Sequence, residues 1–376
     1  MTPTTDRSLA SFFADLRDPR VVGRSDHRLT DIVLIAICGT IAGADDFVAL
    51  ANFAVAKQDW LRDRLGLQLP AGIPAHDTLN RVFSAIRPEA LHECFAAWVA
   101  FASERLKVKQ IAIDGKALRG SRTGACRALT IVSAWATEAG LTLAQVRAAD
   151  KSNEITAIPA LLELLDISGA LVTIDAAGCQ KEIAAQVVTQ GGDYLLAVKE
   201  NQRRLFEDID RLALAALETD YAGLSQYQTM ETGHGREELR CCFVLTELDT
   251  IRDRDLWTKL KSVVCVVSSR TLQGKTSDEV RYYISSKSAG AKTFLRAVRG
   301  HWSIENPCHW VLDVAFREDD HRLRAGHAPE NLALIRKMAL AMLKKAKAKC
   351  GIKNKRLKAA WDDAFLEHVL RDFLDD

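Results

Sequence analysis

The sequence predicts an α/β protein of several domains, in which helical segments flank a central run of strands. Between residues 106 and 200 the hydrophobic pattern predicts the order β-β-β-α-β-α-β, whereas residues 1–105 and 291–345 show helical spacing. The chain has 376 residues, which is more than a typical single domain. Apolar residues make up 48% and charged residues 27%, a balance that excludes a disordered, collagen-like or membrane-bundle protein.

Residues 1–105 predict a helical N-terminal domain. Apolar residues recur at helical spacing over 29–44 and 47–65, and Pro88 stands where the first turn of a helix tolerates proline. The longest apolar run, residues 32–44, is shorter than the roughly 20 residues needed to span a bilayer, so it predicts a buried helix. The N-terminus, residues 1–7, does not show the basic start and following apolar core of a secretory signal. We therefore expect no secretory signal, no membrane association and a cytoplasmic protein.

Residues 106–200 predict the first part of an α/β core. Strands are expected at 108–114, 129–136, 141–149, 170–174 and 194–198, and helices at 154–165 and 180–188. The strand predicted at 108–114 ends with Asp114, and the strand predicted at 170–174 is followed directly by Asp175. Ligands bind at strand ends in α/β sheets, so both carboxylates stand where chemistry is expected.

The remaining segments predict an insertion, a final helical region and a charged tail. Residues 201–290 contain strand-like pieces between polar turns and predict a β-rich insertion, 291–345 return to helix, and 346–376 are basic and then acidic. The formal net charge is only +2, yet residues 344–358 carry eight Lys or Arg and no acidic residue. Such a run suits a DNA phosphate backbone, although a solvated helix face is the alternative.

Other common site types are not predicted. The nine cysteines are irregularly spaced and form no C-x-x-C motif, which favours reduced thiols over a disulfide scaffold or a zinc module. No G-x-S-x-G elbow accompanies His76 and Asp77, which we interpret as helix-capping residues. No P-loop is present, so we do not expect ATP to be used.

Three carboxylates could form one metal site: Asp114, Asp175 and Glu305. Carboxylates brought together repel one another unless a cation lies between them, and oxygen ligands suit Mg²⁺ or Mn²⁺. Two such ions about 3.5–4 Å apart can activate a water or a 3′-hydroxyl and stabilise the leaving oxygen of a phosphodiester. Taken singly, each aspartate could instead be a turn residue or helix cap, and Glu305 an ordinary exposed glutamate.

Other carboxylates are alternatives for the third position. They are Asp313, Glu318 and Asp319, of which Asp313 lies about two helical turns beyond Glu305 and cannot readily share one ion with it. We favour Glu305. Glu154 is the first residue of a predicted helix, and we interpret its carboxylate as a partner of the helix dipole rather than as a metal ligand.

Motifs spread from about residue 15 to residue 315 resemble the insertion-sequence transposases of the ISAs type, also called H-repeat-associated proteins. The matching segments in the N-terminal part are Asp18-Pro-Arg20 and Ile73-Pro-Ala-His-Asp-Thr78. Those in the remainder are Ile113-Asp-Gly-Lys-Ala-Leu-Arg-Gly-Ser121, Val132-Ser-Ala-Trp135, Lys151-Ser-Asn-Glu-Ile-Thr156, Thr173-Ile-Asp-Ala176, Gly192-Asp-Tyr194, Lys199-Glu-Asn-Gln202, His234-Gly-Arg236, His301-Trp-Ser-Ile-Glu-Asn306 and His309-Trp-Val-Leu-Asp313. They occur in the order found in that family.

The resemblance implies a DDE transposase with a ribonuclease-H-like catalytic core and a β-rich insertion. It implies that Asp114, Asp175 and Glu305 bind two Mg²⁺ or Mn²⁺ ions and carry catalysis. The partners it implies are double-stranded DNA, with the terminal inverted repeats bound through residues 1–105, target DNA, and further copies of the chain in a synaptic complex. A degenerate protein that binds DNA ends without transposing and a general metal-dependent nuclease are the alternatives.

The region of Glu305 departs from the wider superfamily, which has Tyr, Arg and Lys around this glutamate. The equivalent positions here are Val298, His301 and Leu312. In addition, Pro307 lacks an N–H donor, so we expect that the helix begins near residue 303 or kinks there.

Several basic residues are candidates for DNA contact. Lys116, Arg119 and Lys199 flank the predicted strand ends, and Arg236 and Arg240 lie in the insertion near His234. The further candidates are His301, Lys344, Lys345 and Lys347. A packed histidine and solvated hairpin or helix faces are the alternatives. Trp257 could stack on a flipped base, but we favour a place in the core of the insertion.

Overall fold

A single nine-stranded sheet runs through the molecule. The computed structural model describes residues 8–371 apart from 22, 24, 104–107, 125–126, 150–153 and 234. The strands are β1 Gln110–Leu118, β2 Leu129–Ala136, β3 Leu141–Arg147, β4 Leu171–Ile174, β5 Asp193–Val198, β6 Ser225–Gly233, β7 Arg236–Leu245, β8 Ser262–Leu272 and β9 Lys275–Ser285. Their order across the sheet is β3-β2-β1-β4-β5-β9-β8-β7-β6.

The first five strands form a ribonuclease-H-like core. β1, β2 and β3 pair in an antiparallel meander, while β4 pairs parallel to β1 and β5 parallel to β4. The predicted insertion contributes β6 to β9, and β9 extends the sheet by pairing antiparallel with β5. The predicted fold class is thereby confirmed: an α/β chain with a ribonuclease-H-like core, a β-rich insertion and a helical N-terminal part.

The helices cover both faces of the sheet and form a separate helical layer. Their bounds are α1 Leu29–Ile41, α2 Phe47–Ala56, α3 Gln58–Asp63, α4 His76–Ala85, α5 Pro88–Ser103, α6 Glu154–Glu163, α7 Lys181–Thr189, α8 Arg203–Glu218, α9 Ala291–His301, α10 Val311–Phe316, α11 Ala328–Lys345, α12 Ile352–Trp361 and α13 Asp363–Arg371. A π-helical segment, Glu305–Trp310, precedes α10. Helices α6, α7 and α8 pack on one face of the sheet, and α9 packs on the other face.

The N-terminal and C-terminal helices share one hydrophobic core. Helix α1 is apolar apart from Thr30, Asp31 and Thr40 and is buried between α2 and α11, as expected for a helix without a continuous polar face. Side chains of α12 and α13, including Phe365 and Leu366, join the same core. The segment expected to be a charged tail therefore includes two packed helices. Across the part of the chain that the structure describes, no helix is long and apolar enough to cross a membrane.

The basic run of residues 344–358 does not form one solvated surface. Lys355 is buried, and its Nζ donates to the carbonyl oxygens of Leu343 at 2.9 Å and Ala346 at 2.7 Å, which the end of α11 leaves without helical partners. Arg356 is also buried and donates to the Thr40 carbonyl at 3.0 Å and to Asp45 at 2.8 Å. Two of the eight positive charges thus hold α12 against α11 and α1, while others in the run are exposed.

Trp257 is only 3% exposed and belongs to the core beneath the insertion, which agrees with the interpretation favoured from the sequence.

A partly buried carboxyl in the helical layer gives the stability of the fold a pH dependence. Glu330, in the first turn of α11, lines a cavity of 180 Å³ together with His92 and Glu93 of α5. Burial raises the pKa of Glu330 from 4.5 to about 7, with opposing effects of Arg147 and Lys337 and a reinforcing effect of Glu89. The folded state therefore binds more protons than the unfolded state between these two pH values, so the free energy of unfolding falls as pH rises through this window.

Replacing Glu330 by glutamine should remove this dependence. We expect Glu330→Gln to raise the free energy of unfolding at pH 8 by about 1–3 kcal/mol and to change it little at pH 4.5, because the native carboxyl is already neutral there. Urea denaturation at both pH values measures the difference. Equal effects of the substitution at pH 4.5 and pH 8 would contradict it.

Candidate metal centre and its surroundings

Asp114 and Asp175 lie side by side where β4 and its pairing with β1 end. β1 and β4 are parallel, and Ile113 pairs with Ile174, so the next residue of each chain segment is an aspartate at the same level. Asp175 follows the last residue of β4, and its Oδ1 accepts hydrogen bonds from the backbone N–H groups of Ala177 at 3.1 Å and Gly178 at 3.4 Å. These bonds fix the carboxylate and leave Oδ2 available.

Glu154 joins the two aspartates. One ligand atom from each of Asp114, Glu154 and Asp175 lies within 4.8 Å of the other two. The approach of Glu154 depends on Gly115, because a Cβ there would lie 2.2 Å from Glu154 Oε1. Burial raises the pKa of the Glu154 carboxyl, and the charges of Asp114 and Asp175 raise it further. The interpretation of Glu154 as only a dipole partner thus overlooked its place in this cluster.

Glu305 lies close to this cluster but outside the group of three. Burial, followed by the negative charge of Asp114, raises the pKa of Glu305, while His309 and Arg281 oppose the change. The residue occupies the first position of the π-helical segment. The sequence predicted Glu305 as the third carboxylate of the site. In the structure, Glu154 lies nearer to the two aspartates than Glu305 does.

The helix that carries Glu305 is interrupted where Pro307 predicted a disturbance. Helix α9 ends at His301, residues 302–304 form a turn, and the π-helical segment follows. The N–H of His309 donates to the carbonyl of Ile304 at 3.0 Å, an i→i−5 bond that widens the helix. Single π-helical turns of this kind occur frequently at functional sites. Because the helix is not continuous, His301 and Glu305 do not share one helical face.

Two histidines support the cluster. His309 is buried, and its Nδ1 lies 3.4 Å from Asp114 Oδ2. Its Nε2 has no hydrogen-bond partner among the described residues. His301 lies under the strand ends, with its Nδ1 3.0 Å from Thr173 Oγ1, and burial lowers its pKa against the opposing charges of Asp114 and Asp175. His301 is therefore packed, which was the alternative to a DNA contact.

The donor set fits a hard divalent cation. The cluster consists of carboxylate oxygens, and within the described ranges no lysine or arginine forms an ion pair with Asp114, Glu154 or Asp175. Three carboxylates at this separation repel one another unless a cation compensates their charge. Mg²⁺ and Mn²⁺ are the ions that such oxygen ligands suit.

A second group of charges lies next to the cluster and is neutralised internally. Lys116 follows Asp114 by two residues on β1, and its Nζ lies 2.7 Å from Asp313, 3.2 Å from Glu318 and 3.2 Å from Asp319. The Lys116 side chain is only 10% exposed. The alternatives considered for the third metal ligand are therefore held here by a cation, and Lys116 itself is engaged by carboxylates rather than open to a phosphate.

The other candidates for DNA contact differ in their exposure to solvent. Arg119 is 83% exposed with one ion pair to Asp319, and Lys199 is exposed at the end of β5. Arg240 is largely buried between Glu231 and Glu238, while Arg236 is partly buried at the start of β7. His234 lies outside the described residues.

The three lysines at the end of α11 and beyond differ from one another. Lys344 lies over the ring of Trp135, with its Nζ 4.2 Å from the ring centroid, and burial lowers its pKa to about 8. Lys345 is partly buried and Lys347 is exposed. Of these three lysines, only Lys347 is therefore fully open to solvent.

Models of known protein families match two consecutive segments of the chain. A family model described as the transposase DDE domain matches residues 108–342, and a model of the domain associated with it matches residues 10–99. The chain belongs to the DDE transposase family. The resemblance seen in the sequence motifs is thereby confirmed.

Relatives match this DDE transposase over nearly the full chain. YncI of Escherichia coli O157:H7, named as a candidate transposase, is 41% identical over 97% of this chain and 94% of its own. The H repeat-associated protein YhhI of Escherichia coli K12 is 39% identical over 97% of this chain and 98% of its own. A solved piggyBac transposase, in a synaptic complex with hairpin DNA, aligns over 98% of this chain and 77% of its own with a TM-score of 0.39 and 9% identity. A similarity this low supports no conclusion about this chain.

Two residues of the site were not predicted as site residues from the sequence. Glu154 and His309 both lie in motifs that carry the family resemblance, namely Lys151-Ser-Asn-Glu-Ile-Thr156 and His309-Trp-Val-Leu-Asp313. Their position within those motifs was the only feature of the sequence that pointed to a role in the site. Their proximity to Asp114 is a tertiary feature that the spacing along the chain does not give.

Proposed function

We propose that this chain is an active DNA transposase, which cleaves DNA at the ends of an insertion sequence and joins them to target DNA with the help of divalent metal ions. The observation that supports this most directly is the adjacency of Asp114 and Asp175 in the parallel β1–β4 pair, with Glu305 close by, in a chain of the DDE family. The proposed cofactor is Mg²⁺ or Mn²⁺, as two ions.

In this proposal, three carboxylates hold the metal ions and neighbouring groups position two of them. Asp114, Asp175 and Glu305 would hold the ions. When bound, two such ions activate a water or a 3′-hydroxyl and stabilise the leaving oxygen of the phosphodiester. His309 positions Asp114 from the buried side, because its Nδ1 lies 3.4 Å from Oδ2 of that carboxylate. The backbone N–H groups of Ala177 and Gly178 position Asp175 by donating to its Oδ1.

The DNA would approach the exposed side of this edge of the sheet. Arg119 and Lys199 are exposed near the strand ends and are the strongest of the proposed phosphate contacts. Trp302 and Trp310, on either side of Glu305, are 38% and 61% exposed and could stack on bases. Residues 1–105 would bind the terminal inverted repeats, and further copies of the chain would complete the synaptic complex, acting on DNA in the bacterial cytoplasm.

A cleavage assay on a supercoiled plasmid that carries the ends of the element tests this function. We expect nicking and strand joining at those ends with Mg²⁺ or Mn²⁺ and none with EDTA. A plasmid with scrambled ends is the control. Failure of the protein to nick or join either plasmid with metal present would overturn the proposal.

The same assay separates the alternatives. Tight binding of the ends without metal-dependent cleavage would identify a degenerate element protein. Equal cleavage of the native and scrambled plasmids would identify a general nuclease, and footprinting on the ends would confirm the lack of preference.

A further inference from the structure

We propose that Glu154 is a metal ligand of this centre, and that Asp114, Asp175 and Glu154 form a cation site that is already assembled before DNA binds. This inference rests on the proposed metal-dependent function, and it adds a fourth carboxylate to the three that the sequence motifs single out. It makes Glu154, the first residue of α6, part of the catalytic machinery.

The first argument is position. The ligand atoms of Asp114, Glu154 and Asp175 all lie within 4.8 Å of one another, a separation that one cation can bridge. Glu305 contributes no atom to this group, although the charges of Asp114 and Asp175 act on it. In the protein without DNA, Glu154 is therefore the third carboxylate of the cluster.

The second argument is steric. Gly115 immediately follows Asp114 on β1, and a Cβ at this position would lie 2.2 Å from Oε1, 2.3 Å from Cδ and 2.6 Å from Cγ of Glu154. The absence of a side chain at residue 115 lets the carboxylate lie directly against the strand beside Asp114. Close approach of this kind is a common reason for glycine within a strand.

The third argument is charge. Within the described part of the chain, no ion pair links Glu154 to a lysine or arginine, whereas the carboxylates of the neighbouring group around Lys116 are compensated by that lysine. A partly buried carboxylate beside two others is unfavourable by itself. A divalent cation provides the compensation that the protein's own side chains do not.

Binding of Mn²⁺ by the full chain without DNA tests the inference. Isothermal titration with MnCl₂ gives the affinity, and the melting temperature with and without MnCl₂ gives a second readout that does not depend on activity. We expect Glu154→Gln to weaken Mn²⁺ binding at least about tenfold and to reduce the Mn²⁺-induced rise in melting temperature. Without metal, the same substitution should leave the melting temperature unchanged or raise it, because it removes repulsion.

Two further variants make the result specific. Glu182→Gln, an exposed first-turn glutamate of α7, is the matched control and should bind Mn²⁺ like the wild type. Gly115→Ala should weaken Mn²⁺ binding as Glu154→Gln does, because the added methyl displaces the Glu154 carboxylate while Asp114 remains.

The outcomes distinguish this inference from the proposed function. A wild type that cleaves DNA with Mn²⁺, together with a folded Glu154→Gln variant of unchanged Mn²⁺ affinity, would overturn only the role of Glu154. A wild type that cleaves with Mn²⁺ but binds none without DNA would overturn the preassembled site. A wild type that neither binds Mn²⁺ nor cleaves would overturn both.

Discussion

Asp114→Asn and Asp175→Asn should each slow the cleavage of element ends by at least a hundredfold. Substitution of residues that merely orient metal ligands costs about 10–100-fold, so the loss of a ligand should cost no less. Each change replaces a carboxylate oxygen by an amide group of similar shape, and the fold should therefore persist. Single-turnover cleavage of a labelled duplex that carries one element end, with saturating Mg²⁺, measures the rate.

Two further variants sharpen this prediction. Glu305→Gln should show a similar loss if Glu305 is a catalytic ligand. Asp255→Asn is the matched control, since this exposed aspartate lies in the short helical turn after β7 and is not a member of the carboxylate cluster. End binding should remain within about twofold of the wild type in all four variants. Cleavage by Asp114→Asn at the wild-type rate would contradict the proposed site.

Lys116→Met should destabilise the fold by about 3–5 kcal/mol, the range for breaking a buried ion pair by removing one partner. The Glu318 side chain is only 1% exposed, and Lys116 is its nearest cation, followed by Arg336 at 3.7 Å. Burial by itself would raise the pKa of Glu318, but Lys116, Arg336 and Lys337 outweigh it and lower that pKa. Without Lys116, the buried Glu318 and the partly buried Asp313 would keep their charges with less compensation.

Urea denaturation of Lys116→Met at pH 7.5 measures this loss. Arg119→Met is the control, because Arg119 also pairs with Asp319 but is exposed, and exposed pairs contribute at most about 1 kcal/mol. Lowering the pH should reduce the difference between Lys116→Met and the wild type, since a carboxyl with a lowered native pKa loses its stabilising contribution as it is protonated. Equal stability of Lys116→Met and the wild type at pH 7.5 would show that the charges around Glu318 are compensated without Lys116.

The placement of Asp114 and Asp175 could be predicted because it depends on local pattern and one topological rule. Each aspartate follows a run of apolar strand residues, and neighbouring parallel strands bring the residues that follow such runs to the same level. The prediction that the first strand stops after Asp114 was wrong, because β1 continues to Leu118 through its pairing with β2. The disturbance at Pro307 was also visible, because a residue without an N–H cannot continue the hydrogen-bond pattern of an α-helix. The sequence did not show that this disturbance takes the form of a π-helical segment.

The position of Glu154 beside the two aspartates could not be predicted in this way. A glutamate in the first turn of a helix already has a sufficient local explanation in the helix dipole. What brings it to the aspartates is the packing of α6 against the sheet and the space left by Gly115, and neither is encoded in the spacing along the chain.

The basic run after residue 343 was hard to interpret for a related reason. Lys355 and Arg356 look like members of a solvated or DNA-binding stretch, yet their partners are backbone carbonyls of α11 and of the segment that follows α1. Arg356 and its partner Thr40 are 316 residues apart. A charge pattern records which residues are basic, but it does not record which of them meet unsatisfied carbonyls in the fold.

A change of metal specificity tests the central claim, that Asp114 holds the ion that acts on the DNA. Asp114→Cys replaces a carboxylate by a thiolate, which binds Mg²⁺ poorly and softer ions such as Mn²⁺ or Cd²⁺ better. The proposed site predicts that the variant cleaves element ends at least about a hundredfold more slowly than the wild type in Mg²⁺ and regains at least tenfold in Mn²⁺ or Cd²⁺. The control Asp255→Cys should match the wild type with every ion. Cleavage by Asp114→Cys in Mg²⁺ at the wild-type rate, or a loss that neither softer ion reverses, would contradict the claim.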